Sequence, residues 1–253
     1  HTIDQKKIEG KLRRLIEEFG VQPSEAERSV TNDLAKEYNV PQMGTTGGAG
    51  KSGSSTEPKK IADVSPEEWV TIEGKVVALS SPGSPAIAQS GIIADESGGI
   101  RFVAWAKSNA PIMTVGSWYK IESAVVDDFK GIASLKIHSG TTVKECETDG
   151  ALVPSTVQIV NLHPGIGSVR AKVIQEWDTT HERMLQSGIL GDETGTIKFV
   201  IWKEPGKEKL EVGSVYNIFY AMVDEFNGRL SLNLNTATIM QDDGDIQVSG
   251  GNA

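Results

Sequence analysis

The feature that most constrains this chain is a duplication. Ser90–Ile137 recurs as Ser187–Leu234 at a constant offset of 97, without a gap and with 22 of the 48 positions identical. Ser90-Gly-Ile-Ile-Ala-Asp-Glu-Ser-Gly-Gly-Ile-Arg-Phe-Val-Ala-Trp105 is echoed by Ser187-Gly-Ile-Leu-Gly-Asp-Glu-Thr-Gly-Thr-Ile-Lys-Phe-Val-Ile-Trp202, and Val126-Asp-Asp-Phe-Lys-Gly131 by Val223-Asp-Glu-Phe-Asn-Gly228. A period of about one hundred residues is too long for a solenoid unit and fits a small domain present twice. Each copy is long enough to bury a core of its own.

Within one copy the pattern is that of short strands. Ile61 to Pro66 reads as a lead-in. Trp69–Leu79, Ala88–Ala94, Ile100–Trp105, Trp118–Val125 and Ile132–Val143 alternate or run apolar between Gly, Pro, Asp and Ser turns. Five strands, with the one long connection between the third and fourth, match the Greek-key barrel of the oligonucleotide-binding (OB) fold. A β-sandwich competes, but it usually needs about seven strands. The expected fold class is therefore mainly β: two tandem five-stranded Greek-key OB-fold barrels, at residues 61–149 and 150–243.

The flanks differ. Residues 1–40 carry two amphipathic patterns. Ile8, Leu12, Leu15, Ile16 and Phe19 form one, and Ala26, Val30, Leu34 and Tyr38 the other, which predicts a small α-helical hairpin. It either packs on the body or docks a partner; a DNA-reading helix-turn-helix is disfavoured by its glutamates. Residues 41–60 are Gly/Ser/Thr-rich and read as a flexible linker. Gly47-Gly-Ala-Gly-Lys51-Ser52 looks like the end of a phosphate-binding loop, but Thr45 stands where the motif needs glycine, and no strand and helix flank it. Residues 244–253 read as a disordered tail.

Composition narrows the chemistry. A single cysteine, Cys146, excludes an intramolecular disulfide and a Cys-rich zinc site, in keeping with an intracellular, cytoplasmic or nucleoid-associated setting. No apolar run approaches the ~18 residues of a membrane span. The four histidines lack metal-ligand spacing, so no metal or other cofactor is expected. Asp95-Glu96 and Asp192-Glu193 precede glycines and suit turns better than acid–base catalysis. The net charge of −9 weighs against a binder that relies on phosphate neutralisation alone. A local basic groove on an acidic body remains compatible with it.

The candidate site comes from the third strand. Ile100, Phe102 and Ala104 point one way, with Ile197, Phe199 and Ile201 in the second copy, and must face the core. The opposite face carries Arg101, Val103 and Trp105, and again Lys198, Val200 and Trp202. An outward tryptophan beside a cation is what stacking on a nucleic-acid base requires. Phe129 and Phe226 lie 24 residues further on, in polar turns between strands four and five. Trp105, Phe129, Trp202 and Phe226 are thus candidate stacking residues, with packing at the barrel rim as the alternative. Arg101, Lys107, Lys136, Arg183, Lys198, Lys203 and Arg229 are candidates for phosphate or polar contacts. Trp177 and His181, in or beside the first loop of the second copy, which reads as more polar and longer in reach than its counterpart, are candidates for extra contacts. Trp69, Trp118, Tyr119 and Tyr216 are expected in the core or on its flank.

Taken together, Ile61-Ala-Asp-Val64, Val70-Thr-Ile-Glu-Gly-Lys-Val76, Asp95-Glu-Ser-Gly98 with Trp105, Val126-Asp-Asp-Phe-Lys-Gly131 and their second-copy counterparts resemble single-stranded DNA-binding proteins of the replication protein A type, most of all archaeal forms. The likeness covers roughly residues 61–240, and the hairpin is similar to archaeal N-terminal extensions. It implies that Trp105 pairs with Phe129, and Trp202 with Phe226, as base-stacking residues. The expected function is non-catalytic binding of single-stranded DNA in replication, repair and recombination. Other replication protein A-type subunits or repair proteins are expected to engage through the hairpin. The competing expectation is an OB-fold scaffold for protein interactions.

Overall fold

The computed structural model describes residues 57–129, 131–148, 151–179 and 181–249; of Phe129 it describes the backbone and not the side chain. The expected helical hairpin and most of the expected linker lie outside these residues, as does the phosphate-loop-like stretch. The described residues form twelve strands in two sets of six. The first set is β1 (Trp69–Ser80), β2 (Ile87–Asp95), β3 (Gly98–Trp105), β4 (Trp118–Phe129), β5 (Ile132–Ile137) and β6 (Thr142–Cys146). The second is β7 (Gly165–Trp177), β8 (Met184–Gly191), β9 (Thr196–Trp202), β10 (Val215–Phe226), β11 (Arg229–Asn233) and β12 (Thr238–Asp242).

Each set closes on itself. The order β1-β2-β3-β5-β4 returns from β4 to β1, and β7-β8-β9-β11-β10 returns from β10 to β7. In both rings the third strand runs parallel to the fifth, and the remaining pairs are antiparallel. Closure demands a sharp bend in the first strand, and a bulge supplies it between Val76 and Ala78, and again between Val173 and Gln175. Glycine is obligatory opposite each bulge. A Cβ on Gly91 would lie 2.2 Å from the Ala78 carbonyl oxygen, and one on Gly188 would lie 2.0 Å from that of Gln175.

The strand alternation reads out as expected. Ile100, Phe102 and Ala104 are buried, as are Ile197, Phe199 and Ile201, and the two phenylalanines are the largest fully buried side chains. Tyr119 and Tyr216 are buried too, and each hydroxyl accepts a hydrogen bond from the preceding loop, from the N–H of Thr114 and of Glu211. A buried glutamine in the second strand holds the long third-to-fourth connection in each barrel. Gln89 donates to the Met113 carbonyl and accepts from the Met113 N–H (2.7 and 3.0 Å); Gln186 does the same with Leu210 (2.8 and 2.8 Å).

Some expectations are revised. The strand expected over Ile132–Val143 breaks into β5 and β6, because His138 to Thr141 form a turn. There the Thr141 N–H bonds the His138 carbonyl, the His138 N–H bonds the Thr141 hydroxyl, and a Cβ on Gly140 would lie 2.9 Å from the His138 ring. Of the core-or-flank alternatives for Trp69, the structure takes the flank: half of its surface is exposed (50%), with its ring edge-on to His138. Residues 244–249 are not a frayed end. Ile246 is buried, Lys172 pairs with Asp245, and the Ser249 N–H bonds the Asp192 carbonyl. The paired carboxylates are structural. Asp95 accepts from the N–H groups of Ile61, Ser97 and Gly98, and Asp192 from those of Ile159, Thr194 and Gly195. Each ties a 3-10 lead-in turn to the hairpin between the second and third strands.

The barrels meet in an apolar seam of their own. Ile92 and Ala94 of β2, with Val77 and Ala78 of β1, face Ile166 of β7 and Phe219 and Tyr220 of β10, and Leu152 of the join completes the cluster. Tyr220 occupies a bulge with φ of +60°, which a bulky residue enters only under constraint. Its ring is 7% exposed in the seam. Gly99 lies beneath it with no room for a side chain, since a Cβ would come within 2.9 Å of Ile166.

Candidate nucleic-acid interface

In the second barrel the structure gathers most of the expected residues onto one face. The outward side chains of β9 are Lys198, Val200 and Trp202. Trp177 pairs with Ser187, which pairs with Val200, so Trp177 lies level with the middle of that row. The Lys198 ammonium stands 5.6 Å from the Trp177 ring centroid, in cation–π contact. At the far end, the loop between β7 and β8 closes over Trp202. The Lys203 N–H donates to the Arg183 carbonyl, and the His181 ring meets Trp202 edge to face at 5.8 Å. His181, Arg183, Trp202 and Lys203 share a shallow surface cleft with Glu182 and Glu204.

Trp202 is held by its backbone. Its N–H donates to the Asn235 side-chain oxygen (2.8 Å), and its carbonyl accepts from the Asn235 side-chain nitrogen (3.2 Å). The half-buried ring therefore projects from a fixed strand end. The loop owes its conformation to His181, whose Nδ1 accepts from the Arg183 N–H. It is no longer than its first-barrel counterpart: Trp177 pairs with Ser187 and Ser80 with Ser90, ten positions apart in each case. The extra reach lies in the side chains, since Ser84 and Ala86 hold the places of His181 and Arg183.

Phe226 sits at the other end of the same face. It closes β10 opposite Arg229 across an Asn227-Gly228 turn in which both residues have positive φ. The ring is 78% exposed. Because β11 runs parallel to β9 with Ser231 opposite Lys198, Arg229 lies level with Thr196. Six residues at about 3.3 Å each then put Trp202 roughly 20 Å along the strand. Phe226 and Arg229 thus mark one end of the face, Trp202 and His181 the other.

The first barrel carries a reduced version. Trp105 is exposed at the end of β3, its carbonyl accepting from the Ser108 hydroxyl, and Lys107 is exposed in the turn that follows. Lys136 is held by Asp127 (2.5 Å), and Arg101 is half-buried. The expected open row fails at its centre: Val103 is only 9% exposed, between Ser90 on β2 and Lys136 on β5. Beyond it, Ile92 is reduced to 1% exposure by the seam, whereas its counterpart Ile189 is only half-buried. Phe129 ends β4 opposite Ile132, and its side chain lies outside the described residues.

Titration is dominated by structural ties. Burial opposes ionisation of Asp192, but hydrogen bonds from the Thr194 hydroxyl and the N–H groups of Ile159, Thr194 and Gly195 outweigh it, leaving the carboxyl below its usual range. Asp242 is far below that range through the two-pronged bond from Arg170 (2.9 and 3.0 Å). Among the described residues, no group of three or more His, Cys, Asp or Glu side chains converges as a metal site would require, and no helix is long and apolar enough to cross a membrane.

Two closed five-stranded barrels of this topology, with the third strand parallel to the fifth, are tandem OB folds. No family model matches the chain. Among curated proteins it is similar to replication factor A of Methanothermobacter thermautotrophicus, 24% identical over 217 residues that cover 72% of this chain and 27% of the relative. The chain thus spans about a quarter of that relative's length. Among solved structures it is similar to an OB domain from Methanosarcina mazei, at 38% identity over 37% of this chain and 89% of that domain, with a TM-score of 0.34. A murine DNA-binding protein bound to double-stranded DNA is 14% identical over 68% of this chain and 97% of that one, with a TM-score of 0.42. The chain is thus built of two OB folds and, over 72% of its length, is similar to an archaeal replication factor A.

Proposed function

We propose that this chain is a non-catalytic, sequence-tolerant binder of single-stranded DNA, and that its second barrel is the principal foothold. The observation that carries this reading is the row Lys198, Trp177 and Trp202, closed at one end by His181 and Arg183 and at the other by Phe226 and Arg229. Aromatic faces alternate with cations along about 20 Å of strand, which suits several stacked bases and their phosphates. Stacking contributes on the order of 1–3 kcal/mol per base, so an acidic body can bind without neutralising many phosphates. The first barrel adds Trp105 and Lys107, on a face already shortened by the seam. The similarity to replication factor A supports the same reading.

Titration of intrinsic tryptophan fluorescence with single-stranded DNA, single-stranded RNA and duplex DNA tests it. Quenching by single strands and not by duplex is expected. Quenching by duplex alone, or by none of the three, overturns it.

The scaffold reading draws on one feature. Where the second barrel carries a Glu176–Lys209 ion pair (2.6 Å), the first has Leu79 and Ile112 at the corresponding positions, both exposed, beside exposed Val115. If Ile112→Lys removes a protein partner while oligonucleotide affinity stays unchanged, both readings hold at separate surfaces.

A further inference from the structure

The seam joins two copies of one domain head to tail, so the operation that relates them can be repeated. On the receiving side, Val77 and Ile92 of the first barrel correspond to Ile174 and Ile189 of the second. On the inserting side, Ile166 of the second barrel corresponds to Trp69 of the first. Val77, Ile92 and Ile166, which the seam covers, therefore have apolar counterparts that the other described residues leave at least partly open, while the exposed Gln175 stands in place of Ala78. Ile174 is exposed, Ile189 is half-buried, and Trp69 keeps half of its surface in solvent.

The segments that follow each barrel support the equivalence. After β6 the chain lays Leu152 into the seam cluster with Ala94. After β12 it lays Val248 against Gly191, the counterpart of Ala94, where a Cβ would meet it at 2.6 Å. In the first barrel this covering segment and the docked barrel coexist, so the tail at 245–249 leaves the receiving face usable.

The geometry points to a second copy of this chain as the occupant. Trp69 of one molecule docks on Ile174 and Ile189 of the next, in the manner of Ile166 at the internal seam. The contact is heterologous and does not close on itself, so it builds head-to-tail chains rather than a symmetric dimer. It is weaker than the internal seam, because Glu122 and Ser123 stand where Phe219 and Tyr220 supply aromatic rings. Molecules held side by side on one polymer strand would make it at high effective concentration. The inference does not rest on the nucleic-acid reading.

Sedimentation velocity of the free chain over roughly 10 µM to 1 mM covers the range of a weak contact. The sedimentation coefficient is expected to rise with concentration. Both Ile174→Asp and Trp69→Ser change exposed side chains, and each should abolish the rise. An equimolar mixture of the two variants keeps one intact receiving face and one intact inserting face, so it should form dimers and nothing larger. A wild-type chain that stays monomeric, a rise that survives either substitution, or a mixture that gives no dimer overturns the proposal. Affinity of each variant for a short oligonucleotide, read separately, reports on nucleic-acid binding alone.

Discussion

Replacing Gln186 by leucine probes how each barrel keeps its long loop in place. The side chain is fully buried and makes two 2.8 Å hydrogen bonds to Leu210, one to its N–H and one to its carbonyl. Leucine nearly preserves the volume, so the change removes hydrogen bonding with little cavity. It leaves two backbone groups facing an apolar neighbour, at about 1–3 kcal/mol each. The loop edge can admit water to one of them, which brings the expected loss to about 2–4 kcal/mol. For a domain of this size that lowers the melting temperature of the second barrel by roughly 10–25 °C. Calorimetry gives the shift, and hydrogen exchange at the Leu210 amide shows whether the loop is what loosens. Gln89→Leu should do the same to the first barrel through Met113. A shift below about 2 °C in either barrel, or an unchanged Leu210 exchange rate, would refute the clamp.

Three further outcomes follow from the geometry. Asp192 has a depressed folded pKa, so its stabilisation is complete above the unfolded value of about 3.9 and is lost as pH falls through the folded one. Wild type should exceed Asp192→Asn in chemical denaturation at neutral pH, with the gap closing as pH falls below the unfolded value; a constant gap contradicts this. Gly188→Ala should destabilise the second barrel by about 1–3 kcal/mol, because its Cβ must displace the Gln175 carbonyl at the closing bulge; a neutral effect on melting would disprove that necessity. Arg183→Ala and Lys203→Ala should each lower the salt slope of single-strand affinity by about 0.7, and an unchanged slope removes that residue from the phosphate contacts.

The barrels were legible because period-two alternation and a gapless repeat are local signals. Phe102 and Phe199 could be assigned to the core from spacing alone, and Trp202 to the outer face by the same count. Trp69 could not be placed. A tryptophan at a strand start looks like core until the partner of its ring is known to be a turn histidine. The closure of Val103 also escaped, since it depends on side chains of β2 and β5 that are distant in sequence. The seam was invisible for a similar reason. Tyr220 reads as an ordinary strand tyrosine; its positive φ is shared by its counterpart Ser123 and belongs to the bulge, so only the docked barrel shows what the ring is for. The grouping of Trp177 with Lys198 had a faint signal, the absence of any aromatic at Ser80, its counterpart.

The central claim is that a single strand stacks on the outer face of the second barrel, with Trp202 as its anchor at one end. Fluorescence anisotropy of a labelled single-stranded oligonucleotide, with wild type, Trp202→Ala and Trp105→Ala compared at one salt concentration, tests it most directly. Loss of one stacked base predicts roughly 5- to 150-fold weaker binding for Trp202→Ala, and a smaller loss for Trp105→Ala. Wild-type affinity in Trp202→Ala with the fold intact would contradict the account.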